Sequence, residues 1–185
     1  MKKLSLTFAL VLALGLCALL AGCGSKASSD SGTPKDYAKI LQEARTDEFN
    51  EAYPILSKGD SGFVLEGANA ADMADEDKER MGDMMLELMG LDPADMADYA
   101  LSVSLMNVKS YGVAIILPAE GRSDAVKTSL QNFIQSQQSA QEFYLPDQYE
   151  IAKDARLTQA ADGSWVLVMS EDATAVNDAI LAALK

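Results

Sequence analysis

Side chains that act as nucleophiles or metal ligands are few in this sequence. The 185 residues include two cysteines and no histidine, so imidazole ligands for zinc, iron or copper(II) are absent and thiolates are scarce. Cys17 lies inside an uncharged, leucine-rich run from Leu4 to Leu20, whereas Cys23 follows that run after Ala21 and Gly22. Cys23 is therefore the residue whose surroundings say most about its chemistry.

Residues 1–22 have the three parts of a secretory signal. Lys2 and Lys3 form the charged start, the run to Leu20 is the apolar region, and small residues follow it. We predict that residues 1–22 are removed by cleavage between Gly22 and Cys23. A permanent membrane helix is the alternative, because about 17 apolar residues lie near the lower limit for crossing a bilayer.

The segment Leu20-Ala21-Gly22-Cys23 resembles the lipobox of bacterial lipoproteins. In that family the cysteine receives a diacylglyceryl group and the signal is cut just before it. The resemblance implies that Cys23 is lipidated, palmitate being a typical acyl chain, and that several acyl chains hold the protein stably on the extracytoplasmic side of the cell membrane. Since Cys17 would be lost with the signal, neither a disulfide nor a free thiol would remain.

The rest of the chain predicts a tether and one domain. Residues 23–34 are poor in apolar side chains, which is typical of a flexible tether, and residues 35–185 are long enough for a single core. The net charge of −13 becomes −15 once Lys2 and Lys3 are lost. Such a charge repels phosphate backbones, so nucleic acid is not expected as a partner. The simplest interpretation is that the charge keeps an exported domain soluble and monomeric. A cationic partner, either an envelope protein or a wall polymer, is the alternative.

Apolar patterning predicts an α+β fold with N-terminal helices followed by an antiparallel sheet whose helices pack mainly on one face. The first helix is expected from Asp36 to about Ala44. Alternation with serines at residues 101–105 predicts a strand that buries one face, and residues 113–117 predict a central strand. The order strand, strand, helix occurs at about 99–138 and again at 156–184. It reflects either a degenerate internal repeat or generic patterning.

Methionine is concentrated in one segment, with six of nine between Met73 and Met96. The spacing of one helix face is shared by Met81, Met84, Met85, Leu88 and Met89. Core packing is the simplest interpretation. A surface for a partner helix and thioether capture of copper(I) are the alternatives.

A serine and a group of acids give two weaker signals. Gly59-Asp60-Ser61-Gly62 matches the sequence around the nucleophile of trypsin-like proteases, but the chain has neither a histidine base nor a Ser-x-x-Lys element, so we predict a turn. Four acids close together raise the question of calcium: Asp72, Asp75, Asp77 and Glu79. They lack the spacing and central glycine of a calcium loop, which favours a solvated helix start.

The best candidate partner surface consists of Phe143, Tyr144 and Tyr149, in a segment predicted to be an aromatic loop through Leu145 and Pro146. Aromatic rings bind both sugars and peptides. Packing of this loop against the sheet is the favoured alternative. No catalytic residue, cofactor or metal site is predicted.

Residues 86–184 resemble the domain of unknown function 4358, found in lipoproteins of clostridia-like bacteria. The resemblance rests on residues 89–92 with Tyr99-Ala100, residues 111–115, residues 143–149, residues 165–168 and residues 170–173. That family has no established activity, so the resemblance implies location and domain identity without a mechanism. We therefore expect a membrane-anchored lipoprotein whose domain is a non-catalytic binding or accessory module of the cell envelope. A carboxylate-based hydrolase acting on wall glycans is the alternative.

Overall fold

The computed structural model describes residues 35–185, and these residues form six α-helices and a six-stranded antiparallel sheet. The helices are α1 (Tyr37–Ala44), α2 (Asp47–Ala52), α3 (Asp75–Met89), α4 (Ser123–Gln141), α5 (Pro146–Lys153) and α6 (Ala173–Ala183). The strands are β1 (Ile55–Gly59), β2 (Gly62–Glu66), β3 (Met96–Val103), β4 (Gly112–Pro118), β5 (Arg156–Gln159) and β6 (Trp165–Met169). The predicted α+β class is confirmed. The predicted signal, the Gly22–Cys23 cleavage site and the tether of residues 23–34 lie outside the described residues.

The strand order is β2-β1-β3-β4-β6-β5, with every neighbouring pair antiparallel. Val103 of β3 pairs with Gly112 of β4, and Gly112 pairs in turn with Met169 of β6. The end of β3, the start of β4 and the end of β6 therefore meet at the same end of the sheet. The β5–β6 turn lies at the opposite end.

Helices cover both faces of the sheet, so the prediction that they pack mainly on one face is wrong. Along β4, Ala114 and Ile116 belong to the core under α3, α4 and α5, whereas Val113 and Ile115 belong to the core under α1 and α6. Successive strand residues point to opposite faces, and a continuous apolar strand is therefore buried on both. The prediction failed in β3 as well, because Ser102, expected to face solvent, is fully buried.

The two strand-strand-helix units are present as β3-β4-α4 and β5-β6-α6. Their second strands, β4 and β6, are antiparallel neighbours. If the units were related by symmetry, a two-fold axis perpendicular to the sheet would exchange these strands. Both helices would then lie on the same face. Yet α4 packs on one face and α6 on the other. This arrangement favours generic patterning over an internal repeat.

The methionine-rich face is divided between core and surface. Met85 and Met89 of α3 are buried and Met81 packs against the same core, whereas Met84 and Leu88 are 47% and 37% exposed. The helix is followed by Gly90, whose N–H bonds the carbonyls of Leu86 and Glu87 and whose positive φ of 64° lets the N–H of Leu91 return to the carbonyl of Leu86 at 3.0 Å. Core packing therefore accounts for three of the five side chains of the predicted face.

The segment Gly59-Asp60-Ser61-Gly62 forms the tight turn of the β1–β2 hairpin, as predicted. Asp60 and Ser61 connect the strands and are exposed. Gly62 has a φ of +111°, a backbone conformation that favours glycine. The glycines of this segment thus have a structural explanation that requires no catalytic serine.

Candidate functional site

Five large apolar side chains are exposed on two loops at one end of the sheet. Residues 104–111 join β3 to β4, and residues 142–145 join α4 to α5. These loops carry Leu105 (37% exposed), Met106 (58%), Val108 (58%), Phe143 (82%) and Tyr144 (82%). We call these five residues the apolar loop surface. Exposed apolar side chains that are close together mark interaction sites more often than isolated ones do.

Hydrogen bonds join the β3–β4 loop to the two helices that flank residues 142–145. The buried Gln141, at the end of α4, donates from Nε2 to the carbonyl oxygen of Asn107 at 2.8 Å. The backbone N–H of Ser110 donates to Oε1 of Gln148 in α5 at 2.9 Å. Asn107 lies between two exposed apolar residues of its loop, and Gln141 lies two residues before the exposed aromatic pair. The β3–β4 loop is thus attached to both ends of the α4–α5 connection.

The three aromatic residues predicted as a partner surface differ in exposure. Phe143 and Tyr144 are exposed in the loop rather than packed against the sheet. Tyr149 is partly buried on α5, with Nζ of Lys153 5.9 Å from its ring centroid. The aromatic-loop prediction is wrong from Pro146 onward, because proline at the first helical position favours a helix start.

A buried arginine connects α1 and α2 to this end of the sheet. Arg45 is only 7% exposed. Its Nη1 donates to Oγ of Ser102 at 2.7 Å and to the hydroxyl of Tyr111 at 3.0 Å, and its Nε donates to Oδ1 of Asn50 at 3.0 Å. Within residues 35–185 Arg45 forms no ion pair with a carboxylate. Its charge is therefore stabilised by neutral oxygen atoms.

Three aromatic rings stack beside Arg45. The ring centroids of Tyr53 and Phe49 lie 4.4 and 4.9 Å from that of Tyr111, with interplanar angles of 19° and 11°. Burial raises the pKa of Tyr111, although the charge of Arg45 acts in the opposite direction. The hydroxyl of Tyr111 therefore stays protonated at neutral pH and accepts the arginine hydrogen bond. Arginine and rings together fix α2 onto the base of the β3–β4 loop.

Two buried hydroxyl groups near the apolar loop surface lack hydrogen-bond partners. Within residues 35–185 they are Oγ of Ser110, in the β3–β4 loop, and Oγ of Ser170, directly after β6. A buried polar atom without a partner costs about 1–3 kcal/mol of folding free energy, and such atoms are uncommon in native proteins.

The charged residues around the loops are mostly acidic. Lys109 binds Glu171 at 2.8 Å, and this hydrogen bond raises the pKa of Lys109 despite partial burial. Glu142 and Asp147 are exposed, and neither forms an ion pair within the described part of the chain. The border of the apolar loop surface therefore carries uncompensated negative charge.

A cleft of about 390 Å³ lies beside this end, between the end of α5 and the start of α6. Four carboxylates line it: Glu150, Asp154, Glu171 and Asp172. Glu150 is paired with Lys153 at 2.9 Å and Glu171 with Lys109, and Arg156 in the same cleft donates to Oγ1 of Thr174 at 3.1 Å. The cleft is thus acidic but partly neutralised.

The opposite end of the sheet holds the first described residues in a polar network. Asp162, in the β5–β6 turn, accepts hydrogen bonds from Ser164, from the hydroxyl of Tyr37 at 3.2 Å and from Nζ of Lys35 at 3.4 Å. Burial acts to raise the pKa of Asp162, but the bonds from Ser164 and the charge of Lys35 outweigh it and hold the pKa below its usual value. We call this network the Lys35 end.

The acidic segment predicted as a solvated helix start lies at the start of α3. Asp75 and Asp77 are in the first turn of α3 and pair with Lys78 at 3.9 Å and with Arg80, respectively. Asp72 lies in the short 3₁₀ turn before the helix, and Glu79 lies one turn into it. Among residues 35–185, no group of acidic, histidine or cysteine side chains has the arrangement of a metal site.

No helix in the described part of the chain is long and apolar enough to cross a membrane.

Comparison with known proteins identifies a family without a mechanism. The model of a domain of unknown function, DUF4358, matches residues 69–170, more than half of the chain. The match extends from the turn before α3 to Ser170, so it starts and ends earlier than the expected region of residues 86–184 and includes both apolar loops. Searches of curated proteins and of solved structures gave no match. The chain therefore belongs to the DUF4358 family of domains of unknown function.

Proposed function

We propose that the protein is a lipid-anchored, extracytoplasmic lipoprotein whose domain is a non-catalytic binding or accessory module of the cell envelope. In this proposal residues 1–22 are the removed signal, Cys23 carries the lipid and residues 23–34 are the tether. The domain of residues 35–185 then presents a binding surface to another envelope component. Neither a cofactor nor a nucleic acid takes part.

The observation that carries the binding role is the apolar loop surface. Phe143 and Tyr144 are each 82% exposed, directly after the end of α4, where Gln141 is hydrogen-bonded to Asn107 of the β3–β4 loop. Each Å² of apolar surface that is left in water forgoes about 25 cal/mol of the stabilisation that burial would provide. A bound partner would cover these groups. The lipobox-like sequence before Cys23 supports the location.

Metabolic labelling tests the anchor. Cells that express the full chain receive an alkyne fatty acid, and the purified protein is reacted with an azide dye. We expect label on the wild type, none on Cys23→Ala, and unchanged label on Cys17→Ala, because Cys17 lies in the predicted signal. Equal labelling of wild type and Cys23→Ala, or no label on the wild type, would contradict the anchor.

A carboxylate-based hydrolase acting on wall glycans is the second candidate, favoured by the four carboxylates of the cleft between α5 and α6. Glycoside hydrolysis uses two carboxyl groups, one as an acid and one as a base or nucleophile. Incubation of the purified protein with a panel of wall glycans tests this reading. Turnover that disappears in Asp172→Asn, with Asp83→Asn as an exposed control on α3, would replace the accessory role with a hydrolase.

A further inference from the structure

We infer that the apolar loop surface binds a partner protein whose contact site is an apolar recess bordered by lysine or arginine side chains. This inference rests on the proposed function and specifies its partner. Five side chains exposed by 37 to 82% form the surface, and the hydrogen bonds at Asn107 and Ser110 attach the β3–β4 loop to the helices on either side of residues 142–145. A surface fixed in advance loses less conformational entropy on binding than a mobile one.

Charge indicates the border of the partner site. Glu142 and Asp147 flank the aromatic pair and are exposed, with no ion pair among residues 35–185. Lys109 and Lys153, the lysines of this region, are already paired with glutamates. A basic border complements this arrangement, because complementary potentials favour association and like charges oppose it. A second copy of this chain, whose net charge is −13 with the predicted signal and −15 without it, would bring like charges together.

Charge also separates a protein partner from a lipid surface. Glu142 and Asp147, beside the aromatic pair, are exposed and form no ion pair within residues 35–185. Acidic side chains repel the anionic headgroups of a membrane surface, so this border opposes insertion of the rings into lipid.

The chemistry of the surface separates a protein partner from a glycan. Sugars require polar groups that bind their hydroxyls as well as rings that stack on them. Leu105, Met106 and Val108 supply only apolar contact. Aromatic residues and methionine are, by contrast, enriched in the centres of protein–protein interfaces.

Photo-crosslinking in intact cells tests the inference. The photoreactive amino acid p-benzoylphenylalanine replaces Val108 or Tyr144 in the full chain, and it replaces the exposed Ala161 of the β5–β6 turn as a control. We expect one and the same protein to crosslink from Val108 and Tyr144 but not from Ala161, through peptides that contain lysine or arginine. The double reversal Glu142→Lys with Asp147→Lys should lower the yield at least roughly fivefold.

A second double reversal controls for net charge. Asp83→Lys with Glu87→Lys changes two exposed acids of α3 by the same amount and should leave the yield unchanged. Crosslinks between copies of the chain, to lipid, to glycan or to different proteins from the two loops would overturn the inference. So would the absence of crosslinks, or an equal effect of both reversals.

Fatty-acid labelling of Cys23 in the same cells keeps the two proposals distinguishable. Loss of label with the crosslinks retained would remove the anchor and keep the surface. Label without crosslinks would do the reverse.

Discussion

The two ends of the sheet satisfy their polar and apolar groups in different ways. At the Lys35 end, Asp162 accepts four hydrogen bonds and brings residues far apart in sequence together. At the other end, Phe143 and Tyr144 are exposed, and the buried hydroxyls of Ser110 and Ser170 have no partner within residues 35–185. One end is arranged for stability, whereas the other retains exposed apolar groups whose burial would stabilise it further. Exposed apolar groups that lie close together are expected where a partner binds.

The end of the sheet that carries the apolar loop surface is nevertheless well packed beneath its loops. Arg45 and the stacked rings of Phe49, Tyr53 and Tyr111 fix α2 against the sheet beneath the β3–β4 loop. This end therefore consists of a packed base, formed by Arg45 and the three rings, and of exposed loops above it. Substitutions in the base should lower stability, and substitutions in the loops should lower binding alone.

The largest effect is expected from Arg45→Ala. This substitution removes the guanidinium that donates hydrogen bonds to the buried hydroxyls of Ser102 and Tyr111. Because both hydroxyls lose a partner, the free energy of unfolding should fall by roughly 3 kcal/mol. Urea unfolding of the purified protein measures the change. Lys39→Ala, at an exposed cation of α1, is the matched control and should change stability by less than about 0.5 kcal/mol. Equal effects of the two substitutions would contradict the role of the base.

At the Lys35 end, Asp162→Asn should cost roughly 1–2 kcal/mol at neutral pH, because hydrogen bonds to a charged acceptor are lost. The folded state holds the pKa of Asp162 below its usual value of 3.8. The carboxylate therefore contributes its full stability above about pH 5, and the contribution disappears as the pH falls through the lowered pKa. Urea unfolding at pH 7 and pH 3 should show a difference between wild type and variant that shrinks in acid. A difference that is constant with pH would exclude this assignment.

The smallest change in stability is expected from the exposed loop. Phe143→Ser and Tyr144→Ser remove side chains that are 82% exposed, so the free energy of unfolding should change by less than about 0.5 kcal/mol. Crosslinking from Val108 should nevertheless fall with either substitution. Destabilisation above about 1 kcal/mol would mean that the rings contribute to folding and would weaken the contrast between base and loops.

The elements predicted well from sequence are those whose buried side chains recur at the spacing of a helix or form a continuous apolar strand. The helix expected from Asp36 to about Ala44 is α1, and the continuous apolar run at residues 113–117 is the central strand β4. The same run also indicated burial on both faces, because a strand with one solvated face alternates apolar and polar residues and this run is apolar throughout. The serines of β3 obscured that signal, since Ser102 is buried as a hydrogen-bond partner of Arg45 rather than exposed.

The candidate site was only partly predictable. Phe143 and Tyr144 were selected by residue type, but Met106 and Val108 join them through the long-range contact between Gln141 and Asn107. Arg45 gave no local signal at all. Its partners Ser102 and Tyr111 lie 57 and 66 residues away, and α2 is a six-residue helix without apolar periodicity. Such contacts depend on the fold and not on sequence spacing.

The packing of α1 against α6 determines when the domain is completed during synthesis. Leu41 of the first helix and Ile180 of the last belong to the same core, and Lys35 contacts the backbone carbonyl of Leu184. A nascent chain that has not yet reached residue 173 can pack α1 on β1, β3 and β4 but lacks the contact with α6. The core around Leu41 is therefore closed only after α6 has been synthesised, and a stop codon shortly before residue 173 should make α1 more sensitive to proteases.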